Sequence, residues 1–128
     1  MAGKIWASGL PALSTATTGV SGARPWAIRP AETAAVTVPW PRNERSPLAG
    51  VKATSYAENV IALAEAHKVG ASEAIVPNTV GNLCEGTGTN VFAVIGGELV
   101  TPPLLSGCLA GVTRALVVAW CDVVERPV

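Results

Sequence analysis

Two consecutive glycines, Gly96-Gly97, separate Asn90-Val91-Phe92-Ala93-Val94-Ile95 from Glu98-Leu99-Val100-Thr101. A two-residue connection leaves no room for a crossover, so the two runs must pair antiparallel, and glycine suits the positive φ angles such a hairpin turn needs. Upstream, Ser55-x-x-Glu58 has the spacing of a capping box, and Val60, Ile61, Leu63, Ala64 and His67 follow at helical spacing, with Gly70 as a stop. This pattern predicts a helix from about Ser55 to Val69. Glu73 to Pro77 reads as another short strand, and Val112 to Val124 as a closing apolar helix. A helix, several strands and a helix in that order point to an α+β fold with a largely antiparallel sheet.

The chain changes character near residue 50. Residues 1–50 hold six of the ten prolines and Trp6, Trp26 and Trp40 of the four tryptophans, and show little helical periodicity. They read as loops with short extended pieces. The best strand among them is Ala34 to Trp40, with Val36 and Val38 on one face and Pro39 and Pro41 ending it.

Composition narrows the function classes. The 128 residues are 49% hydrophobic and 14% charged, enough apolar content for one core. Nine basic residues balance nine acidic ones, and no stretch interleaves Lys or Arg with aromatics, which argues against a nucleic-acid partner. Cys84, Cys108 and Cys121 are an odd count without paired spacing, so neither a disulfide framework nor a metal site is expected, and a cytoplasmic setting fits. His67 has no acidic or cysteine partner at ligand spacing and reads as a capping or packing residue. Lys4 followed by Ile5 to Leu13 imitates a signal peptide, but Ser8, Gly9 and Pro11 dilute the apolar run. No apolar stretch approaches the length of a membrane span, so no membrane partner is expected. Gly86-Thr87-Gly88 lacks the third glycine of a dinucleotide loop, and Ser106 is not in a nucleophile elbow.

Four blocks remain, in order: Gly50-Val51-Lys52-Ala53-Thr54-Ser55-Tyr56 before the first helix, Glu85-Gly86 with Asn90-Val91-Phe92, Glu98 to Pro102, and Leu109-Ala110-Gly111-Val112-Thr113-Arg114. Taken alone, each is ordinary: a lysine before a helix, a polar strand end, a capped helix start. Together, from Lys52 to Arg114, they resemble the C-terminal half of the class IV aminotransferases. These are fold-type IV pyridoxal-phosphate enzymes that include branched-chain transaminase, D-amino-acid transaminase and aminodeoxychorismate lyase. The stretch Thr37 to Arg45 and the surroundings of Lys52 are similar to members assigned as aminodeoxychorismate lyases.

The resemblance implies pyridoxal 5'-phosphate as cofactor, a small-molecule amino substrate and a homodimer in intact relatives. It implies that Lys52 is the Schiff-base lysine and the base at the substrate carbon, a role that needs its neutral amine. Glu85 would face the pyridine nitrogen and keep it protonated. Val112 and Thr113 would hold the phosphate with backbone N–H groups and a hydroxyl at a helix start. Leu109 would pack on a face of the ring, and Tyr56, four residues after Lys52, would reach the ring oxygen. Branched-chain transaminases carry their tyrosine one residue later, so this spacing leans toward the lyase and D-amino-acid branches. Asn90 reads as loop support, and Arg114 as either a phosphate contact or an ion pair.

Family members are longer and have a smaller N-terminal domain that supplies a phosphate-binding arginine. The sequence is therefore expected to be a partial chain: a loop-rich remnant over 1–50 and part of the cofactor-binding domain over 51–128. Three readings follow. The chain is an enzyme, foremost a 4-amino-4-deoxychorismate lyase forming 4-aminobenzoate and pyruvate, with a branched-chain or D-amino-acid transaminase as the alternative. It is a truncated fragment that binds without turnover. Or it is an unrelated small binding module whose four blocks coincide.

Overall fold

The computed structural model describes residues 4–8 and 34–128, so the expectations for 1–3 and 9–33, including the second half of the signal-like run, lie outside the described residues. Among the described residues two sheets and two helices form an α+β architecture. The hairpin is present as expected. Strands β5 (Asn90–Ile95) and β6 (Glu98–Thr101) pair antiparallel in the register Ala93 opposite Val100, Val94 opposite Leu99 and Ile95 opposite Glu98. Gly96 and Gly97 have φ of 62° and 91°, the left-handed pair that matches the twist of the flanking strands. On the other edge of β5 lies β1 (Lys4–Ser8), antiparallel, with Trp6 opposite Phe92.

The second sheet is built from β2 (Ala35–Thr37), β3 (Glu73–Pro77) and β4 (Leu83–Gly86), in that order. Strands β2 and β3 run parallel, and helix α1 (Ala57–Lys68) is part of the crossover between them. The same device recurs at the end of the chain. After β6, a 3-10 turn (Leu104–Ser106) and helix α2 (Val112–Trp120) lead to β7 (Val123–Glu125), which pairs parallel with β6. The sheets are thus mixed rather than largely antiparallel. Parallel neighbours need a long connection, and each helix is part of one.

Three details depart from the expectations. Helix α1 starts at Ala57 with Tyr56 as N-cap and no side-chain capping hydrogen bond, so Ser55 and Glu58 do not close a capping box. Its buried face is Ala62 and Ala66, while Val60, Ile61 and His67 are exposed. Two alanines one turn apart let the helix lie close to the sheet, where Ala62, Ala66, Ala71, Ala74, Val38 and Val76 make one core cluster, flanked by Val36 and Trp40. Helix α2 ends at Trp120 rather than Val124, because Cys121 turns extended (φ −119°, ψ 156°) and feeds β7. Valines suit a pleated strand as well as a helix, so the apolar run did not show where one became the other.

Arg114 holds this last unit together. It is buried in α2, and its Nη2 donates to the Pro102 carbonyl at 2.9 Å and to Glu125 Oε2 in β7 at 2.5 Å. Of the two roles left open for it, the ion pair is the one present. Glu125 is 41% exposed, which screens the pair, so removing the arginine costs less than breaking a fully buried one. Arg114→Met is expected to lower stability by about 1–3 kcal/mol in denaturant unfolding, with hydrogen exchange rising at residues 123–125. An unchanged midpoint would show that α2 and β7 do not depend on this contact.

Candidate active site

The site is assembled around one buried carboxylate. Strand β4 pairs antiparallel with β3, with Ile75 opposite Gly86 and Val76 opposite Glu85, and the register then slips so that Pro77 faces Leu83. The slip leaves Cys84 as an extra residue, a bulge of the kind that bends a strand and re-aims its side chains. Glu85 comes off this bend 7% exposed. Its two oxygens are held separately: Arg42 Nη1 donates to Oε1 at 2.8 Å, and the Leu109 N–H donates to Oε2 at 2.8 Å. Each carboxylate oxygen can accept more than one hydrogen bond, so acceptor capacity remains.

The loop that follows is fixed from below by Glu73, a second buried carboxylate. Glu73 Oε1 accepts from the Ala74 N–H (2.9 Å), the Thr87 N–H (3.0 Å) and the Thr87 hydroxyl (2.5 Å), and Oε2 accepts from the Thr89 hydroxyl (3.1 Å). Gly86 has no room for a side chain there, since a Cβ would come within 2.2 Å of Thr89 Oγ1. Asn90 closes the other side. Its Nδ2 donates to the Leu109 carbonyl at 2.7 Å, and a Cβ on Gly111 would meet Asn90 Oδ1 at 2.1 Å. Asn90 thus ties β5 to the segment entering α2, the loop-supporting role expected of it.

Lys52, Tyr56, Glu85, Leu109, Val112 and Thr113 all line one cavity of about 550 Å3. The sequence spread them over 62 residues, and the fold brings all six together. Glu85 is at the buried end, Leu109 is half-buried, and Lys52, Tyr56, Val112 and Thr113 are exposed. Gly111 is the N-cap of α2, so the N–H groups of Val112 and Thr113 begin the helix without a carbonyl one turn earlier to accept them. Positive potential and free donors therefore face the cavity at that end.

Sequence reasoning missed Arg42 and Asn59. In the sequence Arg42 is one residue of the stretch Thr37 to Arg45, yet its guanidinium reaches Glu85 with one nitrogen and Asn59 Oδ1 with the other. No motif could show this contact, because it depends on the backbone pairing of Arg42 with Asn78 beyond the end of β3. The cysteines near the site are not nucleophiles. Burial pushes the Cys84 thiol up to about 12 and raises that of Cys108, so neither supplies a thiolate near neutral pH.

The pattern of the family described as amino-transferase class IV matches residues 7–128. The chain belongs to the class IV aminotransferases. This class IV chain is 35% identical over 72 residues to the branched-chain-amino-acid aminotransferase of Escherichia coli, covering 56% of this chain and 23% of that protein. The structure of a branched-chain amino acid aminotransferase from Thermobaculum terrenum, in its pyridoxal-phosphate form, superposes with a TM-score of 0.68 at 36% identity, over 75% of this chain and 34% of that one. A Legionella pneumophila protein assigned as a 4-amino-4-deoxychorismate lyase gives a TM-score of 0.72 at 32% identity, over 75% of this chain and 38% of that one. The chain spans about a quarter of the length of the curated relatives it matches.

Membership of this family makes pyridoxal 5'-phosphate the cofactor, and the residues present fit it. A buried carboxylate with acceptor capacity to spare suits a protonated ring nitrogen, and the unpaired N–H groups opening α2 suit a phosphate. The cavity falls within the range of ligand pockets, roughly 300–1,000 Å3. Among the described residues no helix is long and apolar enough to cross a membrane.

Burial is the largest influence on Glu85 and pushes its carboxyl above the ordinary 4.5, while the Leu109 N–H and then Arg42 pull it back. A carboxyl with a raised folded-state pKa keeps its proton in the fold after the unfolded chain has released it. Its contribution to stability therefore falls as pH rises from the unfolded value to the folded one and is constant above that. The stability of Glu85→Gln relative to the parent protein is thus expected to improve as pH rises from 4.5 and then level off, in denaturant unfolding across pH. Parallel curves for the two proteins would show that Glu85 titrates as an exposed carboxyl.

Proposed function

We propose that this chain is the cofactor-holding part of a pyridoxal-phosphate-dependent aminotransferase that takes branched-chain amino acids. The observation that carries the reading is the convergence of Lys52, Glu85 and the start of α2 on one cavity. The names of the curated relatives favour branched-chain substrates over the lyase reaction that the sequence first suggested. When bound, pyridoxal phosphate supplies an electron-withdrawing ring that makes a proton on the substrate carbon acidic. Lys52 Nζ would hold the cofactor and would be the group that moves that proton. Glu85 orients the ring through its nitrogen. The N–H groups of Val112 and Thr113, with the Thr113 hydroxyl, bind the phosphate, and Leu109 covers one ring face and excludes water from it. Tyr56 at the rim would donate its hydroxyl to the ring oxygen.

A second reading, 4-amino-4-deoxychorismate lyase, is favoured by the likeness to the Legionella structure and by the four-residue spacing of Lys52 and Tyr56. Both reactions start with proton removal by Lys52, and they diverge in their products. An aminotransferase passes nitrogen to a keto acid, whereas the lyase releases pyruvate with no acceptor present. Leucine with 2-oxoglutarate is expected to give glutamate, and pyruvate from aminodeoxychorismate alone would favour the lyase instead.

Borohydride reduction with pyridoxal phosphate, followed by peptide mapping, is expected to label Lys52. Label confined to Lys4 or Lys68, or spread evenly over the three lysines, would contradict the assignment.

A further inference from the structure

Arg42 lies between β2 and α1, outside the four ordered blocks that run from Gly50 to Arg114. Its backbone is nevertheless pinned: the Arg42 N–H donates to the Pro77 carbonyl at 2.8 Å, and Arg42 forms a parallel bridge with Asn78. That fixes its Cα at the end of β3, beside the strand that carries Glu85. The guanidinium then spans two acceptors, Glu85 Oε1 through Nη1 and Asn59 Oδ1 through Nη2. Asn59 stands in the first turn of α1, so the contact joins the β3 end, the helix and the buried carboxylate.

We propose that Arg42 is a positioning residue for the cofactor-facing carboxylate: by holding Oε1 while the Leu109 N–H holds Oε2, it fixes the plane of Glu85 and aims its remaining lone pairs into the cavity. The inference rests on the reading that Glu85 meets the ring nitrogen. A glutamate has three side-chain torsions, and one facing an open cavity would otherwise sample several rotamers. Donors on separate oxygens remove that freedom. The second guanidinium nitrogen, held by Asn59, keeps the arginine from swinging away, and a planar fork meets both acceptors where a single ammonium could not. Among the described residues, Arg42 is the charged group that acts on Glu85. The Cys84 thiol on the same strand and the Cys108 thiol beside Leu109 stay neutral, and the Leu109 N–H is an uncharged donor.

The test uses the whole chain in two arms. In the cofactor-free protein, the Glu85 carboxyl is followed by 13C NMR across a pH titration, with Glu85→Gln assigning the signal. Arg42→Gln should raise its midpoint by about one pH unit or more, and Arg42→Lys by less. In the second arm, pyridoxal-phosphate affinity is measured by absorbance titration for Arg42→Gln, Glu85→Gln and the double variant. Arg42→Gln should weaken binding about 10-fold where Glu85 is present and less than about 2-fold where it is absent. An unmoved Glu85 titration, or equal weakening in both backgrounds, would overturn the positioning role. If circular dichroism shows that Arg42→Gln does not fold, Arg42→Lys carries both arms with the same signs and smaller effects. A parent chain that binds no pyridoxal phosphate while its Glu85 titration shifts as expected would overturn the functional reading and leave the Arg42 contact standing. Normal binding with an unmoved titration would do the reverse.

Discussion

A carboxylate taken out of water must be compensated, and most of the site follows from how Glu85 meets that requirement. Transfer of a lone ionised group into the interior is far costlier than any single contact can repay, so its oxygens need donors at fixed places. One comes from Arg42, held at the end of β3, and the other from the backbone of Leu109, held by Asn90. Satisfying the carboxylate therefore joins three parts of the chain that are far apart in sequence: the segment before α1, strand β4 and the entry to α2. The glycines at 86 and 111 belong to the same constraint, because a side chain at either would collide with the residues that hold the loops in place.

Glu73 plays the corresponding part for the backbone. Its carboxylate takes four hydrogen bonds from Ala74, Thr87 and Thr89, and so sets the turn between β4 and β5 without entering the cavity. The buried end of the site is consequently over-determined, while the end bearing Lys52, Tyr56 and Thr113 is open. That division gives the cavity a rigid buried end and an accessible outer one.

Much of this was readable from the residues. The hairpin at Gly96-Gly97, the strands Glu73–Pro77, Asn90–Ile95 and Glu98–Thr101, and the body of α1 follow from local pattern, since turn chemistry and alternation act over a few residues. The six residues that share the cavity all belong to the ordered blocks of the sequence. What local pattern could not carry was anything decided by tertiary packing. The buried face of α1 is two alanines rather than its larger apolar residues, because closeness to β3 selects small side chains over hydrophobic ones. Strand β7 was hidden inside an apolar run, and with it the parallel pairing to β6. Arg42 was missed for the same reason, since an arginine in a proline-rich segment looks like a solvated charge until β3 places it beside Glu85.

The central claim is that Glu85 faces the ring nitrogen of bound pyridoxal phosphate and keeps it protonated. 15N NMR of the protein loaded with cofactor labelled at that nitrogen tests this most directly. The account predicts the chemical shift of a protonated pyridine nitrogen across neutral pH, and its loss when Glu85 is replaced by glutamine. A nitrogen that shows the shift of neutral pyridine in the parent protein, or the same shift with and without the Glu85 carboxylate, would contradict it.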